Sequence, residues 1–178
     1  MQVGLEYLED WELYRRVLVE GICRARQSVW IATANLKDVR VPGPVGFRPI
    51  AFQFAQLCAG GVEVRVLHGS GPSEAFLHSF RESGLNSENL FAARRCPRVH
   101  LKAVLIDMQQ LYLGSANITG AGLGAKSEDR RNFEIGILTA DPVLIDRVAS
   151  LFRVIWDGKM CEGCGRRNIC YCPLEQMA

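Results

Sequence analysis

The chain has 178 residues, 48% of them hydrophobic, with 21 Lys and Arg against 19 Asp and Glu for a formal net charge of +2. That length suits one domain with a substantial core, and the balance is too even to mark a nucleic-acid binder on charge alone. No apolar stretch approaches the ~20 residues needed to cross a bilayer, which excludes a membrane-spanning helix. The N-terminal decapeptide has neither a basic n-region nor an apolar h-region, so no secretory signal is expected and a cytoplasmic location is.

Residues 5–26 place Leu5, Leu8, Trp11, Leu13, Val17, Val19 and Ile22 at a mostly helical spacing, with Glu6, Glu9, Asp10 and Glu12 between them. Residues 28–35 read as a strand. Residues 37–49, with three prolines and two glycines, read as a loop. A helix is expected over 50–59, stopped by Gly60-Gly61, then a strand over 62–67 and a short helix over 73–83 with Gly84 past its end. Strands follow at 99–106, 110–114 and 133–139. Asp141-Pro142 is an N-cap with proline at the first helical position, opening a helix through Trp156. Alternating helices and strands argue for a mixed α/β layer structure, without an internal repeat. A domain over 1–158 and a cysteine-rich tail over 159–178 are the expected units.

The chemistry gathers in two short runs. His100-Leu101-Lys102 with Asp107, then Gly114-Ser115-Ala116-Asn117, spell H-x-K-x4-D-x6-G-S-x-N. In a strand, His100 and Lys102 would point to one face and Asp107 to the other. Ser115 and Asn117 are likewise two apart. Two neighbouring strands could present a nucleophile, a cation, a hydroxyl and an amide to one anionic centre. Arg94, Arg95, Arg98 and Lys102 surround the histidine with no acid between them, which suits an anionic polymer or, more plainly, a solvated positive face. Lys126, Arg130 and Arg131 belong to a glycine-rich basic segment over 119–131 that would suit a mobile substrate loop or an ordinary flexible one.

This motif resembles the signature of the phospholipase D superfamily, whose members break and make phosphodiester bonds through a covalent histidine intermediate. The resemblance implies a phospholipase D-like mixed β-sheet flanked by helices. Larger members carry two motif copies. A single copy resembles the small nucleases and cardiolipin hydrolases that work as homodimers with the site on the two-fold axis. It implies His100 as nucleophile, with His100 of the partner subunit as general acid. Lys102, Ser115 and Asn117 would hold the non-bridging oxygens. Asp107 would be a supporting residue, and Glu134 the acid that orients the histidine, with Glu128 as its rival. No metal is required for this chemistry. DNA or RNA is the favoured substrate, a phospholipid the alternative, and a non-catalytic nucleic-acid-binding module the reading from a different class.

Of seven cysteines, four fall at Cys161, Cys164, Cys170 and Cys172 in a C-x2-C-x5-C-x-C pattern. In a reducing compartment four such thiolates suit a structural Zn²⁺, with an iron–sulfur cluster or an unmetallated tail as alternatives. Cys23 and Cys58 read as small buried apolar residues, and Cys96 as a loop thiol.

Overall fold

A computed structural model describes residues 4–85, 90–170 and 175–176. Strand β1 (Leu5–Glu9) leads into a helical segment that starts at α1 (Trp11–Leu13), continues as a π-helix (Tyr14–Val19) and ends in a 3-10 turn (Ile22–Arg24). There follow β2 (Ser28–Thr33), the short strands β3 (Arg40–Pro42) and β4 (Phe47–Pro49), and α2 (Ile50–Ala59). Then come β5 (Glu63–His68), α3 (Glu74–Glu82), β6 (Phe91–Arg95), β7 (Ala103–Ile106) and β8 (Gln110–Gly114). Strand β9 (Ile135–Thr139), α4 (Pro142–Trp156), a 3-10 turn (Arg167–Ile169) and β10 (Glu175–Gln176) complete the order.

The main sheet has eight strands in the order β1-β9-β8-β7-β2-β5-β6-β10. Parallel pairing joins β2, β5 and β6, and antiparallel pairing joins the rest. Its central strands are buried on both faces, so they read as continuous apolar runs. Val29 and Ile31 of β2, with Val104 and Ile106 of β7, enter the larger core beneath α2 and α3. Trp30, Ala32, Ala103 and Leu105 enter the second core, where Ile145, Phe152 and Trp156 of α4 cover the other face.

Several expected elements come out differently. Residues 5–9 are an edge strand on β9 rather than the start of a helix, and Asp10 turns the chain with φ 49°. Arg16 binds both Glu6 and Glu20, tying that strand to the helical segment behind it. The proline-rich loop contains the β3–β4 hairpin, closed by a Gly43 N–H to Gly46 carbonyl bond of 2.8 Å. The strand expected over 99–106 is regular over Ala103–Ile106, because the N–H of Val99 closes a turn onto Cys96 O at 2.8 Å. Strand β6 was absent from the sequence expectations. The helix at Asp141-Pro142 forms as expected, with the Asp141 carboxylate accepting from the N–H groups of Val143 and Leu144.

The motif glycine has a packing reason. Gly114 pairs with Gly136 across β8 and β9, and the fully buried Tyr112 ring fills the slot they leave. A Cβ at Gly114 would lie 2.3 Å from the tyrosine oxygen, and one at Gly136 would lie 2.3 Å from its ring carbon Cε2. Burial raises the tyrosine's pKa above its ordinary value. Gly136→Ala should therefore cost about 1–3 kcal/mol by overpacking. Urea denaturation should show that loss, and a Tyr112→Leu background should recover part of it.

Candidate active site

The pairing directions bring the ends of β2, β5 and β8 and the starts of β7 and β9 to one end of the sheet. His100 and Lys102 precede β7 there, while Ser115 and Asn117 follow β8. The ladder continues one step past the regular strand, since Gly114 N–H donates to Lys102 O at 3.2 Å. Lys102 is thereby held opposite Gly114, next to Ser115, and in line with Thr33 at the end of β2.

His100 is exposed, and the Lys102 ammonium donates to its backbone carbonyl at 2.9 Å. The same Nζ lies 3.1 Å from Nδ1 and 3.3 Å from Nε2 of the imidazole. Ring-nitrogen lone pairs lie in the ring plane and point away from each other, so near-equal distances describe a charge contact rather than a directed hydrogen bond. The imidazole and the ammonium thus share one small space.

The donors opposite are held more rigidly. Asn117 Oδ1 accepts from the Asn35 N–H at 3.0 Å and lies 3.2 Å from Thr33 Oγ1. With its oxygen committed, the amide's NH₂ is the end that can meet an anion. The buried Thr33 hydroxyl also accepts from Ile118 N–H at 3.1 Å and donates to Asn35 O at 2.8 Å. Ser115 Oγ accepts from Ile135 N–H at 3.1 Å and donates to the Glu134 carboxylate. Glu134 takes a second bond of 3.2 Å from the Asn132 amide. The structure thus joins Glu134 to Ser115. Glu128 lies out in solvent, 3.8 Å from Arg131.

Asp107 lies at the other end of β7, roughly 16 Å of strand from Lys102. Its carboxylate accepts from the N–H groups of Arg26 (3.0 Å), Gln27 (2.7 Å) and Ser28 (3.0 Å), where the chain enters β2. It supports the site by fixing the strand that carries it.

The basic residues separate into groups. Arg94 lies over Trp156 at 4.6 Å and donates to that residue's carbonyl at 2.6 Å, in a stack where Arg65 and Arg153 cover Trp30. Arg98 donates to Met160 O at 3.4 Å and sits 3.9 Å from Cys164 Sγ. Arg95 is half-buried on β6, opposite Glu175 of β10. Lys126 and Arg130 are exposed, while Arg131 pairs with Asp10 at 3.5 Å. The segment over 119–131 is anchored by the buried Leu123, Gly122 and Gly124, the last packed against the backbone of Asp10.

Among the described residues no group of three or more His, Cys, Asp or Glu side chains is placed so that it could hold a metal ion as it stands. Cys161, Cys164 and Cys170 line a cavity of about 400 Å³ that His100 also borders, and Cys172 lies outside the described residues. Sequence reasoning missed Thr33 and Asn35. Their signal was two polar residues closing an otherwise apolar strand.

The register thus brings a histidine, a lysine, a hydroxyl and an amide to one end of the sheet. The sequence matches the family model for the cardiolipin synthase PLD-like domain over residues 18–156, and the chain belongs to the phospholipase D superfamily. No curated protein matches the sequence. Solved structures share the fold. NucT from Helicobacter pylori superposes with a TM-score of 0.60 at 16% identity, covering 88% of this chain and 97% of its own. Nuc from Salmonella typhimurium, a phospholipase D family member, gives 0.59 at 18% identity over 88% and 95%. Phosphatidylserine synthase from Haemophilus influenzae gives 0.54 at 14% identity, over 85% of this chain and 38% of that one.

Asp107→Ala leaves three backbone N–H groups without their carboxylate, and should cost about 2–4 kcal/mol of stability. Chemical denaturation measures this directly. Asp107→Asn, which keeps one acceptor oxygen, should lose less.

Proposed function

We propose that the chain is a metal-independent phosphodiesterase that cleaves DNA or RNA through a phosphohistidine, working as a homodimer. The observation carrying this reading is the register that sets Lys102 beside Gly114 and Ser115, with His100 in contact with its ammonium. A neutral His100 nitrogen attacks phosphorus, a P–N bond forms, and the P–O bond to the leaving group breaks. The leaving oxygen takes a proton from a second imidazolium. Water then attacks the phosphohistidine, giving its proton to that same second histidine as the P–N bond breaks. Lys102 and the Asn117 amide meet the charge on the non-bridging oxygens, and Ser115 joins them once its hydroxyl turns from Glu134.

One chain holds no second histidine for this role. Its other two are His68, which is 1% exposed with Nδ1 2.8 Å from Ser70 O, and His78, on α3 beside Glu82. His100 of the partner subunit supplies the missing acid. The surface around the site favours such pairing. Phe133 is wholly exposed beside Glu134, and Ile135, Leu5, Tyr7 and Trp11 extend that apolar surface along β9, β1 and the turn after it. Scattered apolar side chains are ordinary, but a run of them at the rim of an incomplete site suits a second copy of the same surface. The described part of the chain holds no helix long and apolar enough to cross a membrane.

One observation favours a lipid instead. Leu101, Leu151, Ile155 and Met160 form an apolar wall beside His100, which could seat an acyl chain.

Labelled single-stranded DNA, duplex DNA, RNA and cardiolipin vesicles, incubated briefly with the chain in excess EDTA, separate these readings. Circular dichroism alongside guards against unfolding by the chelator. Nucleic-acid cleavage is expected from the native chain, with a loss of at least about 10³-fold for His100→Ala and binding retained. Cleavage of vesicles alone would establish the lipid reading. Binding without any turnover would establish a binding module. Sedimentation should show a dimer at micromolar concentration, and Phe133→Glu should yield a folded monomer with little activity. A fully active monomer would overturn the shared site.

A further inference from the structure

The cavity beside His100 gathers more thiols than the tail alone supplies. Cys96 stands on the turn before the catalytic histidine, 65 residues ahead of Cys161, yet it lines the same cavity of about 400 Å³ as Cys161, Cys164 and Cys170. Three contacts press the tail onto that turn. Arg166 Nη1 donates to Pro97 O at 3.0 Å, Arg98 Nη1 donates to Met160 O at 3.4 Å, and the same Arg98 nitrogen lies 3.9 Å from Cys164 Sγ.

We propose that Cys96, Cys161, Cys164 and Cys170 form a tetrathiolate zinc site that staples the tail to the turn preceding His100. The local geometry is prepared for it. Cys161-Glu162-Gly163-Cys164 forms a tight turn, closed by Cys164 N–H to Cys161 O at 3.2 Å, with Gly163 at φ 67°. Loading would release four protons, Zn²⁺ + 4 RSH giving [Zn(SR)₄]²⁻ + 4 H⁺. The remaining double negative charge faces Arg98.

The sulfurs line the cavity without meeting at one point, so coordination requires their side chains to rotate inward to Zn–S distances of about 2.3 Å. Such a site is closed, and four sulfurs leave no position for water. Its role is to hold the turn that carries the nucleophile. Two of the basic residues around it gain a reason independent of substrate: Arg98 and Arg166 brace the turn and the tail against each other.

The full-length chain, purified with zinc present and then desalted, should carry one equivalent of zinc by elemental analysis. After cobalt replacement it should show the intense visible bands of a tetrahedral thiolate site. Cys96→Ser and Cys161→Ser should drop zinc below one equivalent, and sulfur-to-cobalt charge transfer in Cys96→Ser should fall to a three-thiolate level. Far-UV circular dichroism of Cys96→Ser should retain the native helix signal, separating ligand loss from unfolding. Cys172→Ser and His100→Ala should keep full zinc. Zinc retained by Cys96→Ser but lost by Cys172→Ser would overturn the assignment of Cys96. Iron with sulfide, a disulfide among these cysteines, or a zinc-free chain with reactive thiols would overturn the site itself.

Discussion

Three backbone N–H groups converging on one carboxylate set the frame on which the candidate site rests. Asp107 sits at φ 54°, where its side chain reaches back to residues 26–28 just as the chain enters β2. This clamp fixes β7 against β2 from the end away from the chemistry. With the two strands locked in register, Ala103 is opposite Ala32, and the next residue, Lys102, falls in line with Thr33. A slip of one residue would send Lys102 to the other face and bury a charge. The motif's aspartate and lysine are thus joined through a strand rather than through space.

The same frame leaves the two halves of the site differently supported. Asn117, Thr33 and Ser115 are each held by backbone amides, and the Gly114–Gly136 slot lets Tyr112 support them from below. The Asn117 amide, fixed through its oxygen, would need no reorganisation to meet an anion, whereas Ser115 would first have to turn its proton away from Glu134. His100 is different. It follows a turn rather than a strand, and the side chain touching its ring is a lysine on a flexible stem. The residue proposed as nucleophile thus sits outside the regular strand.

What the sequence revealed and what it concealed follow the same division. The H-x-K and G-S-x-N spacings are local, and the residues at those spacings do meet at one end of the sheet. The strands β2, β5 and β8 and the helices α2 and α4 were legible because their burial or capping is written in adjacent residues. Strand β1 was not, since Leu5, Leu8 and Trp11 mimic a helical spacing when the pairing partner, β9, lies some 130 residues away. Strand β6 was hidden because Arg94 and Arg95 look like solvated charge. One of them is covered by the indole of Trp156, which no local pattern announces. Thr33 and Asn35 were missed for a related reason: their partner, Asn117, lies more than 80 residues on.

In the proposed homodimer the apolar rim around Glu134 would link assembly to chemistry. A single chain offers one usable imidazole, and phosphodiester hydrolysis through a covalent intermediate needs two groups in opposite protonation states. Building both into one polypeptide requires a duplicated domain. Building one and exposing Phe133 and Ile135 beside it would let the symmetry of the proposed dimer supply the other. In that arrangement the two histidines are chemically identical until substrate binds. Whichever attacks makes its counterpart the acid, so the asymmetry the mechanism needs comes from the polarity of the bound phosphodiester and not from the protein.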